Sequence, residues 1–242
     1  RIKSMPDNQP QILKSTSDLR ANDIRALYDG FHSPVAHLDC GKKCALHNPS
    51  GKPFCCDICH AVPAAYKSEW NYLAENTDLW HKWRGDECED ITSKDIPRIK
   101  ADLPGNMTLL ACLGPSLCQR DFRALSCRQF PFFPYVTSDY RFIGLAYEWQ
   151  FESKCWAISN LACVTQTYRE EFVRTYDKLF VLFQDEFDHY AFHSEIMRVQ
   201  FIKRRKRFPL LHRNGKYYLV SAASERLQRI DTSSLPRFGY YR

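Results

Sequence analysis

Residues 40–59 have the sequence CGKKCALHNPSGKPFCCDIC, with five cysteines in twenty positions. Prolines and glycines between them break both helical and strand periodicity, so residues 31–61 are predicted to be a loop. A loop of about thirty residues is too long for a compact domain unless something holds it. Thiolate sulfur is a soft donor that binds zinc, copper(I) or iron–sulfur clusters. The stretch therefore predicts a fold in which bound metal pins long cysteine-rich loops.

The remaining cysteines extend this pattern along the chain. The chain has 11 cysteines, an odd number, so complete internal disulfide pairing is excluded. Clustered cysteines in a chain without a visible secretory leader indicate metal ligands. The predicted metal ligands are Cys40, Cys44, Cys55, Cys56, Cys59, Cys112, Cys118, Cys127, Cys155 and Cys163.

Three details qualify this ligand set. Cys55 and Cys56 are adjacent and cannot both point the same way in an extended chain, so we expect one to serve a second site or to pack behind the first. Cys88 lies in an acidic stretch, where its thiol pKa is expected to be high, and is predicted to be a bystander. His47 and His60 lie beside the first cluster and could replace a sulfur in a zinc site, although loop histidines are more often solvated.

Composition and charge limit the classes of protein to which this chain can belong. The 242 residues are 44% hydrophobic and 26% charged, which excludes a wholly disordered chain and fits one large domain or two small ones. No apolar run is long enough to span a membrane. Together with the missing leader, this predicts a cytoplasmic protein. Nine glycines and the absence of a G-x-G-x-x-G string leave little for a dinucleotide site.

The net charge of +6 is mild, and five of the positive charges lie in one run at 203–207. This run, Lys203-Arg204-Arg205-Lys206-Arg207, could bind nucleic acid. The favoured interpretation is a solvent-exposed helix end, where positive side chains complement the helix dipole. A protein partner or protein substrate is the expected ligand.

The patterning predicts an α+β fold, mostly helical, with small antiparallel hairpins. Helical spacing is predicted over 17–28, 63–85, 168–190, 193–205 and 223–230. Hairpins are predicted over 132–137 with 141–149, and over 208–213 with 216–220 around Asn214-Gly215. The predicted organisation is an arm and short helix at 1–30, a cysteine-rich metal-binding domain at 31–165, and a helical and hairpin extension at 166–242 that packs on it.

A short motif resembles a known family. Cys127-Arg128-Gln129-Phe130-Pro131 is similar to the C-R-x-[FY]-P signature of the YkgJ-type zinc- or iron-chelating family. Cys40, Cys44 and the Cys55-Cys56 pair match that family's early cysteine run, Cys112 and Cys118 its later cysteines. Cys155 resembles a further cysteine of the related flagellin lysine N-methylases. The match covers about residues 40–163 and departs from the family in the long gap between Cys44 and Cys55 and in the extra Cys59.

The resemblance implies an iron–sulfur protein with a [4Fe–4S] cluster, held by the motif cysteines, with zinc as the alternative metal. It also implies an S-adenosylmethionine-dependent transfer of a methyl group to a protein lysine. Arg128, next to a predicted ligand, is expected either to bind the cofactor, by donating hydrogen bonds to cluster sulfurs or holding an anionic substrate group, or to form a salt bridge at the surface. Two other classes stay open: a non-enzymatic zinc-binding subunit of a larger assembly, and a disulfide-bonded secreted binder.

Overall fold

The computed structural model describes residues 19–88, 91–92, 94–101 and 103–241. The part of the predicted arm and short helix at 1–30 that precedes residue 19 lies outside these residues. The described chain is α+β with antiparallel sheets, as the sequence predicted. The helices are α1 (Ala21–Asp29), α2 (Cys40–Ala45), α3 (Lys67–Asn76), α4 (Asp95–Ala101), α5 (Leu125–Gln129), α6 (Trp156–Ser159), α7 (Gln166–Leu182) and α8 (Gln184–Lys203).

Two antiparallel sheets organise the described residues. The smaller has the order β1-β3-β2, from β1 (Ala64–Tyr66), β2 (Trp80–Lys82) and β3 (Met107–Cys112). The larger is a meander of β4 (Phe132–Val136), β5 (Phe142–Tyr147), β6 (Phe208–His212), β7 (Tyr217–Val220) and β8 (Leu227–Ile230). The predicted boundary at 165/166 therefore runs through one sheet, because strands from both sides of it pair with each other.

The main core lies between the larger sheet and the helices α7 and α8. Phe132 and Phe133 of β4 are fully buried. The backbone N–H of Val136 donates to Ser194 Oγ of α8 at 3.0 Å, which ties the helix to the sheet. Outside this layer of α7 and α8, the hydroxyl of Tyr28 on α1 donates to the buried carboxylate of Glu69 on α3 at 2.6 Å, which ties these two helices together. These contacts give the cysteine loops a rigid support.

Four predicted elements are wrong in extent or type. The helix predicted over 63–85 is shorter, because Thr77 adopts an extended conformation and the following residues pair with β3 as strand β2. The helix predicted over 168–190 breaks at the extended and buried Phe183, and α8 then runs to Lys203. The helix predicted over 223–230 is strand β8, because Glu225 turns the chain at φ 52° and the strand pairs with β7. The predicted loop 31–61 contains the short helix α2.

Candidate metal centre

The first two cysteines are placed by α2. Asp39 caps this helix by accepting hydrogen bonds from Gly41 N and Lys42 N. Cys40 and Cys44 are four residues apart and therefore share one helix face. A side chain at Gly41 would meet Pro53 at 3.0 Å, so α2 packs closely against the segment that leads to the next cysteines.

The Cys55-Cys56 pair lies on a short 3-10 turn, Phe54–Cys56, that follows Pro53. The two Sγ atoms are 3.8 Å apart. The buried carboxylate of Asp57 fixes the turn, because it accepts hydrogen bonds from Asn48 Nδ2 at 2.9 Å and Ser50 Oγ at 2.6 Å. The loop is thus held by its own polar side chains as well as by its cysteines.

The second cysteine loop leaves the small sheet. Cys112 ends β3, opposite Trp80 of β2. Cys118 follows a 3-10 turn, and Cys127 lies on α5. Arg123 Nε donates to the sulfur of Cys118 at 3.1 Å. Burial works to lower the pKa of Arg123, but the Cys118 sulfur and the neighbouring thiols raise it.

Cys155 precedes α6 and connects this helix to α2. It is 6% exposed, and its N–H donates to Phe151 O at 2.8 Å. The N–H of Trp156 donates to the sulfur of Cys44 at 3.2 Å. Cys155 also donates a thiol hydrogen bond to Cys44, and this lowers the pKa of Cys44 to about 6. The pKa of Cys155 itself is raised by the same bond and by burial.

Electrostatic interactions link eight cysteines, which we arrange in two groups of four around the adjacent Cys55 and Cys56. In the first group, Cys40 interacts with Cys44, Cys44 with Cys155, and Cys55 with both Cys40 and Cys155. In the second group, Cys127 interacts with Cys56, Cys112 and Cys118, and Cys112 with Cys56 and Cys118. We call these the first tetrad (Cys40, Cys44, Cys55, Cys155) and the second tetrad (Cys56, Cys112, Cys118, Cys127).

The adjacent pair joins the two tetrads. The sulfurs of Cys55 and Cys56 form a hydrogen bond with each other, which lowers the pKa of Cys56 to about 7 and raises that of Cys55. Cys56 also interacts electrostatically with Cys40 and Cys44, so the tetrads are neighbours. Burial raises the pKa of Cys127, and the surrounding thiols raise it further. The eight sulfurs therefore lie in one partly buried region, with the guanidinium of Arg123 beside Cys118.

Residues 235–241, which we call the tail, cover the first tetrad. The single hydroxyl proton of Tyr241 is shared between two acceptors, Lys154 O at 3.1 Å and the sulfur of Cys44. The ring of Tyr240 stacks on His47 at a centroid distance of 4.5 Å. His47 is thus used to hold the tail.

Two further contacts anchor the tail. Ser159 Oγ donates to Phe238 O at 3.0 Å and accepts from Phe238 N at 2.5 Å. Gly239 adopts φ 54° and lies so close to the backbone of Ser153 that a side chain there would overlap it. Only glycine satisfies both conditions, which fixes the path of the chain over the cysteines.

The structure corrects the prediction for Cys59. Its sulfur forms a disulfide with Cys88, 29 residues away. A disulfide sulfur has no thiolate to offer a metal. Cys59 is therefore not a ligand here, and Cys88 is not a bystander, because it is buried and pins the cysteine loop to the segment after β2. The acidic neighbours of Cys88 suggested an exposed thiol, but the side chain points inward.

Arg128 and Cys163 also differ from expectation. Cys163 is exposed on a 3-10 turn. The guanidinium of Arg128 stacks on Tyr28 at 4.1 Å and donates only to backbone carbonyls in the contacts that we observe. Those carbonyls belong to Tyr28, Phe31, Arg120, Asp121 and Arg123.

With five N–H groups engaged, Arg128 holds two loops together and has no donor left for a cofactor. Arg123 has the sulfur contact that the sequence analysis expected of Arg128. Its place between Cys118 and Cys127 was the available signal.

Among the described residues, no three histidine, cysteine, aspartate or glutamate side chains already stand in an arrangement that could hold a metal ion. The metal ligands thus stay a prediction. Within the same residues, no helix is long and apolar enough to cross a membrane. Comparisons with family models, with curated proteins and with solved structures each return no match for this chain.

Proposed function

We propose that this protein binds two inorganic centres, one in each cysteine tetrad, and that both are iron–sulfur clusters. The observation that carries the proposal is the adjacent pair Cys55 and Cys56, whose Sγ atoms lie 3.8 Å apart, with Cys55 interacting with Cys40 and Cys155 and Cys56 with Cys127. Four cysteine thiolates are the usual ligand set of a [4Fe–4S] cluster. Two adjacent residues that serve different centres also explain why the chain needs a Cys-Cys pair.

The donor chemistry of both tetrads fits the proposed group. Each consists of sulfur alone, which favours a soft metal over magnesium or calcium. Arg123 beside Cys118 supplies a positive charge and a hydrogen bond to sulfur, which shifts the potential of a cluster and stabilises its negative charge. A bound cluster would supply electron transfer or a Lewis-acidic iron. The resemblance to the YkgJ-type motif favours iron–sulfur over zinc.

A methyl transfer from S-adenosylmethionine finds less support. The two sheets of the described residues are antiparallel, so they do not form the parallel strand–helix unit that cradles a nucleotide at a helix N-terminus. We therefore assign no step to S-adenosylmethionine. Transfer to a protein lysine and the protein partner that it requires remain implications of the motif. Nine free cysteines of the described chain favour a reducing compartment, whereas the Cys59–Cys88 disulfide favours an oxidising one; a cytoplasmic location is part of the proposal on the ground of the free thiols.

The test is metal and sulfide analysis of the full chain after anaerobic purification. Two [4Fe–4S] clusters require about eight iron and eight sulfide per chain and give the broad visible absorbance of iron–sulfur proteins. Colourless protein with stoichiometric zinc would instead support the zinc-binding subunit and overturn the iron–sulfur assignment.

Single substitutions test the division into tetrads. Cys55→Ser should lose the first centre and Cys56→Ser the second, so that each variant keeps about half of the iron. Cys163→Ser is the matched control, because the thiol of Cys163 is exposed and lies outside both tetrads. This variant should keep all of the iron. Loss of all metal in both variants, with circular dichroism unchanged, would show a single shared centre and contradict the two-site proposal.

A further inference from the structure

The outward face of α8 carries an apolar stripe. Phe192, Ile196, Val199 and Ile202 are 62%, 36%, 41% and 48% exposed. Their spacing of three and four residues places them on one side of the helix. The opposite side is already buried in the core through Tyr190, Met197 and Phe201. A helix that is apolar on both sides indicates a second packing partner for the outward stripe.

The charges at the two ends of this stripe have opposite signs. Asp185 and Asp188 precede it, and Lys203 follows it in the basic run 203–207. Asp188 and Lys203 are 15 residues apart, about 22 Å at 1.5 Å per residue. Two such helices in antiparallel contact would place each acidic end against a basic end. In parallel contact, like charges would meet.

We infer that the outward stripe binds a second copy of this chain, with the two α8 helices antiparallel and the two-fold axis close to Ile196. Phe192 of one copy then packs near Val199 of the other, and Asp188 lies near Lys203. A two-fold interface uses the same patch on both copies, as this pattern of charges requires. Complementary charge at both ends fixes the register of the apolar contact.

An anionic membrane fits the same surface less well. The basic run would be attracted to it, but Asp188 lies on the stripe side of the helix and would be repelled. Glu195, beside Ile196, meets like charge in a membrane and in a second copy alike, so it does not distinguish the two. Part of the basic run is also occupied, since Arg204 pairs with Glu152 and Arg207 donates to Gln228. A second copy presents charges of both signs to this surface, whereas an anionic membrane presents only negative charge.

Sedimentation equilibrium of the full chain measures the proposed dimer. The wild-type chain should be dimeric, and Ile196→Glu should weaken the dimer at least about a hundredfold, because a carboxylate is buried twice in the interface. Ala74→Glu is the matched control: it places the same charge at an exposed position of α3 and should leave the dimer intact. Metal content should not change in either variant, which separates this inference from the proposed function.

A charge exchange tests the antiparallel register. Asp188→Lys and Lys203→Asp should each weaken the dimer at least about tenfold, since each creates two like-charge contacts. The double variant restores opposite charges and should recover most of the affinity. A wild-type chain that stays monomeric, a double variant without recovery, or a monomer that binds phosphatidylserine vesicles through the stripe would each overturn the inference.

Discussion

Replacing Cys88 with serine tests the disulfide and the corrected ligand set together. The bond closes a loop of 29 residues. Constraining a loop of that length in the unfolded chain contributes about 3–4 kcal/mol in the entropic model. We expect Cys88→Ser to lower the free energy of unfolding by roughly that amount, a large fraction of the 5–15 kcal/mol typical of a domain. Metal content should stay unchanged, because neither tetrad includes Cys59 or Cys88.

Denaturant unfolding under anaerobic conditions, with and without reductant, provides the measurement. Reductant should lower the free energy of unfolding of the wild-type chain to that of Cys88→Ser. It should leave the free energy of unfolding of Cys88→Ser unchanged. Cys163→Ser should match the wild type in both conditions. Loss of metal in Cys88→Ser would refute the assignment of Cys59 to the disulfide. Equal stability of the two chains without reductant would show that the bond does not form.

Four further changes have expected outcomes. Burial raises the pKa of Glu186 from 4.5 to about 7, so the folded state favours the protonated form, and the stability that this gives below pH 4.5 is lost as the pH rises through 7. The loss is up to about 3 kcal/mol, and Glu186→Gln should remove most of it when the free energy of unfolding in urea is measured against pH. The same pH dependence in the variant and the wild type would contradict this. Arg128→Lys leaves buried carbonyls without donors and should cost about 2–4 kcal/mol by thermal unfolding, whereas an unchanged midpoint would refute its bracing role. Gly144→Ala drives a methyl group into the backbone of β6 and should cost more than about 2 kcal/mol; stability at the wild-type level would disprove this close approach. Tyr241→Phe removes the hydrogen bond to Cys44 and should speed metal loss to a chelator several-fold, while an unchanged rate would show that the tail does not protect the site.

Local signals were enough for the hairpins. Asn214-Gly215 supplies the turn between β6 and β7, where Gly215 adopts φ 82°, and the alternating residues around it pair as predicted. The β4–β5 hairpin follows from its own β-rich runs. Both elements form from residues close in sequence, so their partners are visible in the pattern itself.

The helix boundaries depend on tertiary contacts. Apolar spacing continues through Phe183, so the pattern predicts one helix across it, but the side chain is buried in an extended conformation and α8 begins anew. The segment after Ala222 has helical composition, yet the edge of β7 offers hydrogen bonds that make it a strand. At Phe183 burial overrides local helical propensity, and in the last segment pairing with the neighbouring strand β7 does so.

The cysteines were predicted in part. Their clustering along the chain predicted that they gather, and the Cys-Cys pair indicated a second site. The pairing of Cys59 with Cys88 was hidden, because it depends on how β2 and β3 bring a distant acidic segment next to the first loop. The approach of Cys155 to Cys44 was hidden for the same reason, because it comes about through the docking of α6 on α2.

The tail imposes an order of events during biosynthesis. The first tetrad is complete once Cys155 has been made, and Tyr241 follows 86 residues later. Its thiols therefore stay uncovered while that length of chain is synthesised. On the proposed function, an inorganic group would be delivered in this interval, before Tyr240 and Tyr241 dock beside Cys44.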